Sequence, residues 1–236
     1  MEEYKTLIHE AFGDSSDEDE LIFGENPKWE HVTEIKGLSL CRDFLTVDQQ
    51  STLLDSILQE GWLSDAAHNQ AMRFGDLPSW ANELSTSVRE LVQYSDYDPE
   101  SIDTNTCEMD EQEYIFPSEL LRREPLFNQL IVNSYQPGEG ICAHVDLMRF
   151  EDGIALVSLE SSCVMHFSRV VTNEKQTEAK IPVYLTPGSL LLISGEARYQ
   201  WKHEINRKPG FQIWDGLDID QKRRTSITLR KLCNSE

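Results

Sequence analysis

Residues 130–146 read Leu130-Ile-Val-Asn133-Ser-Tyr135-Gln-Pro137-Gly138-Glu-Gly140-Ile141-Cys-Ala-His144-Val-Asp146. A β-favouring run ends at Tyr135, a Pro-Gly turn follows, and a His-x-Asp step closes the stretch. The same grammar repeats downstream in Ile154 to Leu159, Cys163 to Phe167, Ile181 to Leu185, Leu190 to Ser194 and Thr225 to Leu232. Asp152-Gly153 and Pro187-Gly188 punctuate these runs. Upstream the period changes. Gly37 to Phe44 reads as a short strand, and Thr46-Val-Asp-Gln49 forms a capping box. Val47, Leu53, Leu54, Ile57 and Leu58 then recur at helical spacing, with Gly61 as the stop. A second helix is expected from Pro78-Ser79, with Trp80, Leu84, Val88, Leu91 and Val92 on its apolar stripe. Helices followed by many short strands predict an α+β protein: a double-stranded β-helix (jelly roll) with supporting N-terminal helices.

The chain has 236 residues and divides on this reading into an acidic, unstructured tail at 1–27 and one domain at 28–236. Within the domain the helical support spans 46–95, an acidic turn-rich loop 95–113 and the jelly-roll core 129–232. Ser15 and Ser16 in the tail each have an acid three residues on, the pattern of an acidophilic-kinase site. At 39% hydrophobic the composition is that of a globular protein. No stretch approaches the roughly 18–20 apolar residues of a membrane helix, so no membrane association is expected. Cys41, Cys107, Cys142, Cys163 and Cys233 are odd in number and form no C-x-x-C pair, which argues against a disulfide framework or a thiolate zinc site. A reducing compartment, cytoplasm or nucleus, is the expectation. The net charge of −21 opposes long-range attraction to a polyphosphate. Lys222-Arg223-Arg224 is the one dense basic run.

The chemistry concentrates in three places. On an extended backbone residues i and i+2 share a side, so His144 and Asp146 can meet one ion. His203 follows 57 residues after Asp146, just past an expected buried strand. Two His and one carboxylate on one face of a metal leave the opposite face open and favour Fe(II) with O2 chemistry. Arg224 and Arg230 stand six residues apart on one strand and therefore on one side, with Ser226 and Thr228 between them. If Ile227 and Leu229 face the core, that side lines a polar cavity whose guanidinium forks fit a dicarboxylate. Asn133 and Tyr135 share a face on the neighbouring run and can donate hydrogen bonds to carboxylate oxygens. Each feature also has a plainer reading: an interior His with its bonds satisfied, an Arg pair exposed on an edge strand, a core Tyr. Their joint occurrence in order favours the site.

With these motifs the sequence resembles the AlkB-type Fe(II)/2-oxoglutarate dioxygenases. The likeness rests on Asn133-x-Tyr135-x-Pro137-Gly138-x-Gly140-Ile141-x-x-His144-x-Asp146, on Pro187-Gly-Ser-Leu-Leu191, on Gly195-Glu-Ala-Arg-Tyr199 with His203, and on Arg224-x-Ser226-x-Thr228-x-Arg230. It covers about Gly37 to Leu232 and is strongest from residue 131 on. The resemblance implies a jelly roll in which His144, Asp146 and His203 hold iron. Asn133, Tyr135, Arg224, Ser226 and Arg230 would bind 2-oxoglutarate, and which Arg takes which end stays open. It also implies decarboxylation of 2-oxoglutarate to succinate by O2, coupled to hydroxylation of a substrate C–H. An N-methyl carbon so hydroxylated falls away as formaldehyde, which is demethylation.

The pattern departs from the family in two places. Repair members carry a long lid after a Phe-Gly step, whereas Phe74-Gly75-Asp76 here runs straight into Leu77-Pro78. His203-Glu204-Ile205 replaces a common His-Gly-Ile, a step shared with a lid-poor mitochondrial member not thought to act on nucleic acid. Gly195-Glu-Ala-Arg-Tyr-x-Trp201 is similar to a member that hydroxylates a modified wobble uridine in tRNA. The leading expectation is an oxygenase acting on a modified or alkylated base in RNA (tRNA) or DNA, with a partner protein supplying affinity. The alternatives are a hydroxylase of a protein side chain or small metabolite, and a non-catalytic interaction module on the same fold.

Overall fold

The computed structural model describes residues 28–63, 69–95, 115–170 and 180–233. The 1–27 tail with Ser15 and Ser16 lies outside these residues, as does the expected acidic loop apart from Ser95. The chain enters through β1 (Trp29–His31) and β2 (Leu38–Cys41), followed by α1 (Val47–Gln59), β3 (Gln70–Phe74), α2 (Ser79–Ser95) and the single turn α3 (Ser118–Leu121). Then come β4 (Gln129–Tyr135), β5 (Ile141–His144), β6 (Ile154–Leu159), β7 (Cys163–Arg169), β8 (Lys180–Leu185) and β9 (Leu190–Ile193). The short α4 (Gly195–Gln200) leads into β10 (Trp201–Ile205), a hairpin of β11 (Ile213–Trp214) and β12 (Leu217–Asp218), and β13 (Arg224–Arg230).

Two antiparallel sheets face each other. The larger has the order β1-β2-β9-β6-β13-β4-β3 and the smaller β5-β10-β7-β8. Strand alternation sends successive side chains of the larger sheet to two different cores. Leu190, Leu192, Val157, Ile227 and Leu229 pack on the helix side with Leu84, Val88 and Leu91 of α2. Leu191, Ile193, Ile154 and Leu156 pack inward against Met165, Phe167, Val183 and Leu185 of the smaller sheet. This explains why β6 is buried along its whole length and β9 reads as an unbroken apolar run: both their faces are covered.

Helix α1 starts as expected. Thr46 Oγ1 accepts from Gln49 N, and Gln49 Oε1 accepts from Thr46 N. Its buried ridge is narrower than the spacing implied. Leu53 and Ile57 are buried and Leu54 packs partly against the same core, whereas Val47 and Leu58 are 76% and 75% exposed on the flank beyond them. The connection after Phe74 is short: Gly75, at φ +79°, turns the chain, and α2 begins at Ser79. Strands β1, β3, β10 and the hairpin β11–β12 were not in the sequence reading. β10 reads Trp-Lys-His-Glu-Ile and is a strand by its antiparallel pairing with β5 and β7, with burial alternating along it. The basic run Lys222-Arg223-Arg224 does not form a surface patch. Arg224 points inward at 0% exposure, Arg223 pairs with Glu160 and Lys222 with Asp220.

Two glycines of the quoted stretch have different tasks. Gly138 sits at φ +86° with open space around it, so Gly138→Ala should cost only the left-handed backbone strain, about 1–2 kcal/mol. At Gly140 a Cβ would lie 1.9 Å from the Ile205 carbonyl oxygen, so Gly140→Ala must push β5 off β10. Chemical denaturation should show the larger loss for Gly140→Ala; equal losses would mean that β5 does not depend on that close approach.

Candidate active site

A cavity of about 550 Å³, counting its open mouth, lies between the two sheets where the inner apolar core ends. One wall is β13, whose Arg224, Ser226, Thr228 and Arg230 line the cavity while Ile227 and Leu229 face the helices. The alternation inferred for this strand is therefore present, and the edge-strand reading of the arginines is excluded. β4 pairs beside it with Tyr135 opposite Arg224 and Asn133 opposite Ser226, and both side chains line the cavity.

The opposite wall brings His144 and His203 into direct cross-strand register between β5 and β10. Their rings are 4.3 Å apart and tilted by 54°. Asp146 lies two residues beyond His144, just past the end of β5, so the His-x-Asp step leaves the strand before its carboxylate. One donor atom from each of the three residues falls within 4.8 Å of the others. His144 Nδ1 lies 2.8 Å from the Cys142 carbonyl, to which it can only donate, leaving Nε2 as the donor toward the centre. Burial pushes the His203 imidazole down to about 4, despite the opposing charge of Asp146, so at neutral pH it is an uncharged ligand. Burial opposes ionisation of Asp146, but His203, Arg230 and His144 outweigh it and hold the carboxyl below its ordinary range.

The two arginines differ. Arg230 places Nη1 against Asp146 Oδ1 and donates from Nε to Gln129 Oε1 at 2.7 Å. Arg224 donates from Nε to Ser158 Oγ at 3.0 Å, while its Nη1 and Nη2 are buried with no partner among the described residues. About 20 Å of strand separates their Cα atoms, so the two forks serve opposite ends of whatever lies between them. Asn133 Oδ1 accepts from Gln70 Nε2 at 2.6 Å. Burial raises the Tyr135 hydroxyl above its usual range against the pull of Arg224 and Ser226, which keeps it a neutral donor. Gln129, Ser158 and Gln70 escaped the sequence reading. Gln129 is fully buried at the first position of β4, directly after Asn128, so nothing in its sequence neighbourhood marks it as interior.

A neutral imidazole, a second imidazole turned by its own hydrogen bond and an ionised carboxylate form a facial set that suits Fe(II). The sequence model of the 2OG-Fe(II) oxygenase superfamily matches residues 37–230. The chain belongs to this superfamily. Within it the chain is of AlkB type. It is 29% identical over 229 residues to an "Alkylated DNA repair protein ALKBH8 homolog" of Arabidopsis thaliana, covering 85% of this chain and 59% of that protein. It is 27% identical to a "tRNA (carboxymethyluridine(34)-5-O)-methyltransferase alkbh8" of Xenopus tropicalis, over 84% of this chain but 32% of that one. A mimivirus protein, L905, is 28% identical over 87% of this chain and 89% of its own length. The chain thus spans well under two thirds of the Arabidopsis and Xenopus relatives. The solved structure of OsALKBH1 shares the fold at TM-score 0.58 and 16% identity, covering 86% of this chain. Members of the superfamily use Fe(II), 2-oxoglutarate and O2, and the donor set here fits that iron.

The depressed His203 value has a thermodynamic consequence for the metal-free protein. Its ordinary pKa of 6.5 applies once unfolded, so between pH 6.5 and about 4 the unfolded chain binds a proton that the folded one refuses. Stability present above pH 6.5 should be lost progressively down to about pH 4, by about 3 kcal/mol at most. Denaturation of the chelator-treated protein against pH checks this, and a flat profile across that window would contradict the burial of His203. Asp146 acts in the same direction at lower pH.

Proposed function

We propose that this chain is a dioxygenase that couples 2-oxoglutarate turnover to hydroxylation of a C–H bond on a modified or alkylated base in RNA, with tRNA as the favoured carrier, or in DNA. One observation carries the chemistry: a facial donor set shares its cavity with a buried guanidinium, Arg224, whose Nη1 and Nη2 have no partner among the described residues. That guanidinium awaits an anion, since a buried charge without a partner is costly. Arg224 takes the far carboxylate of 2-oxoglutarate, with the Tyr135 hydroxyl and Ser226 beside it. Arg230, already against Asp146, serves the metal end with Asn133. His144, Asp146 and His203 would hold iron, which supplies the activation of O2 when bound. Ile131, Leu156 and Met165 line the cavity and keep water from the reacting carbon.

The base reading draws on the names of the Arabidopsis and Xenopus relatives, and on exposed side chains next to cavity-lining residues. Met72 and Phe74 stand at alternate positions of β3 after the cavity-lining Gln70, Leu147 and Met148 follow Asp146, all four are exposed, and the Arg149 guanidinium stands 5.8 Å from the Phe74 ring. Such a surface can stack an unpaired base. The charge of −21 and the dismantled basic run leave phosphate affinity to a partner protein, in the cytoplasm or nucleus. That same acidity favours a second reading, a hydroxylase of a protein side chain or metabolite.

Asp146→Ala should abolish succinate production; an unchanged rate would defeat the metal assignment. Arg224→Met should raise the 2-oxoglutarate KM by one to two orders of magnitude, as loss of about 2–3 kcal/mol of charged hydrogen bonding implies. It should also flatten discrimination against pyruvate, which lacks the far carboxylate. An unaltered KM would put the co-substrate elsewhere. Mass spectrometry of nucleosides and peptides from cells with and without the protein separates the two substrate readings: a change confined to peptides would refute the base reading.

A further inference from the structure

Asp146 is the one member of the donor set without a strand to hold it, since β5 ends at His144. Its main chain is gripped from behind by Arg198 of the Gly195-Glu-Ala-Arg-Tyr199 segment. Arg198 is 1% exposed and donates from Nη1 to the Asp146 carbonyl at 3.0 Å and from Nη2 to the carbonyls of Leu147 and Phe150 at 2.8 and 3.2 Å. A guanidinium this deeply buried ordinarily meets a carboxylate, yet these bonds go to three carbonyls of one loop. A second tether runs the other way: the Asp152 carboxylate accepts from Gly195 N at 2.9 and 3.0 Å and from Gly153 N at 2.7 Å. Five residues after Arg198, on the strand that α4 enters, stands His203.

We propose that Arg198 is a positioning residue of the metal centre: it clamps the 146–150 loop to the α4–β10 segment, so that the Asp146 carboxylate and the His203 imidazole move as one unit. Arg198 touches none of the three donor atoms and acts through the Asp146 main chain. From the cavity side Asp146 is held by Arg230, a contact that the proposed co-substrate would share, so the grip from behind is the one independent of co-substrate. Support of this kind typically changes metal affinity by about 10–100-fold when removed. The inference rests on the metal reading above.

The test is Mn(II) affinity of the full chain, followed by electron paramagnetic resonance without 2-oxoglutarate, alongside circular dichroism and thermal unfolding of the metal-free protein. Arg198→Met should weaken Mn(II) binding at least tenfold in protein that is still folded. Arg198→Lys, which keeps one donor head, should fall between Arg198→Met and the unsubstituted chain. A merely structural Arg198 would lower the unfolding temperature and leave the Mn(II) Kd unmoved, which would overturn the proposal. Should both Arg198 variants fail to fold, Asp152→Ala decides. It cuts the second tether on a half-buried side chain and should weaken Mn(II) binding about threefold or more; an unchanged Kd there overturns the clamp. If the unsubstituted protein binds no Mn(II), the metal reading itself falls, whereas normal binding with unaffected variants defeats the clamp alone.

Discussion

The interior of this protein holds more positive charge than negative. Among the described residues Arg198, Arg207, Arg224, Arg230 and Lys231 are buried, and Asp146 is the only buried acid. On a chain carrying −21 overall this inversion is costly and must be met locally. Arg230 meets Asp146, Lys231 donates to the Pro125 carbonyl, and Arg198 spends its donors on three carbonyls. Arg224 has one hydroxyl for its Nε and, among the described residues, nothing for its terminal nitrogens. A dicarboxylate that brings two negative charges to this cavity offsets part of that excess, and it would also face the charge of a divalent ion held by Asp146 and the imidazoles. A dianionic co-substrate is thus electrically complementary to what the fold buries.

The two-sheet architecture is what makes such burial tolerable. Each central strand of the larger sheet has apolar residues on its helix side, which supply the packing that anchors it. Its other face is then free to change character along its length: apolar against β7 and β8, polar where β5 and β10 approach. β13 condenses this division into seven residues, with arginines, serine and threonine facing the cavity and isoleucine and leucine facing α2. The smaller sheet contributes the two imidazoles by simple register, His144 opposite His203, so no long-range coincidence is needed to bring them together.

Much of this was legible in one dimension. Period-2 alternation named the inward residues of β4 and β13, and the structure places Asn133, Tyr135, Arg224, Ser226 and Arg230 on one cavity. The capping box at Thr46 set the start of α1 to the residue. What failed failed for physical reasons. Val47 and Leu58 belong to the helical spacing but not to the buried ridge, because a helix against a sheet covers fewer positions than its apolar residues occupy. β10 was missed because Lys202 and Glu204, half-buried at alternate positions, put charges into a short run that becomes a strand only by pairing with β5 and β7. The basic run at 222–224 looked like a patch because adjacent letters say nothing of facing: the strand turns Arg224 inward and Arg223 outward to Glu160.

The order of residues alone pointed to the fold class, the family resemblance and the candidate metal and co-substrate side chains, because these depend on local periodicity and on short spacings along a strand. It left open which partner each buried arginine meets and what steadies Asp146. Those answers needed contacts between segments far apart in the chain. Arg230 reaches Asp146 across 84 residues, Arg198 reaches the same residue across 52, and Arg224 finds Ser158 across 66. Side-chain facing is a property of one strand and can be read from its letters. Partnership between buried charges is a property of the assembled sheets, since only closure of the two faces decides which donors meet an acceptor and which are left for a ligand.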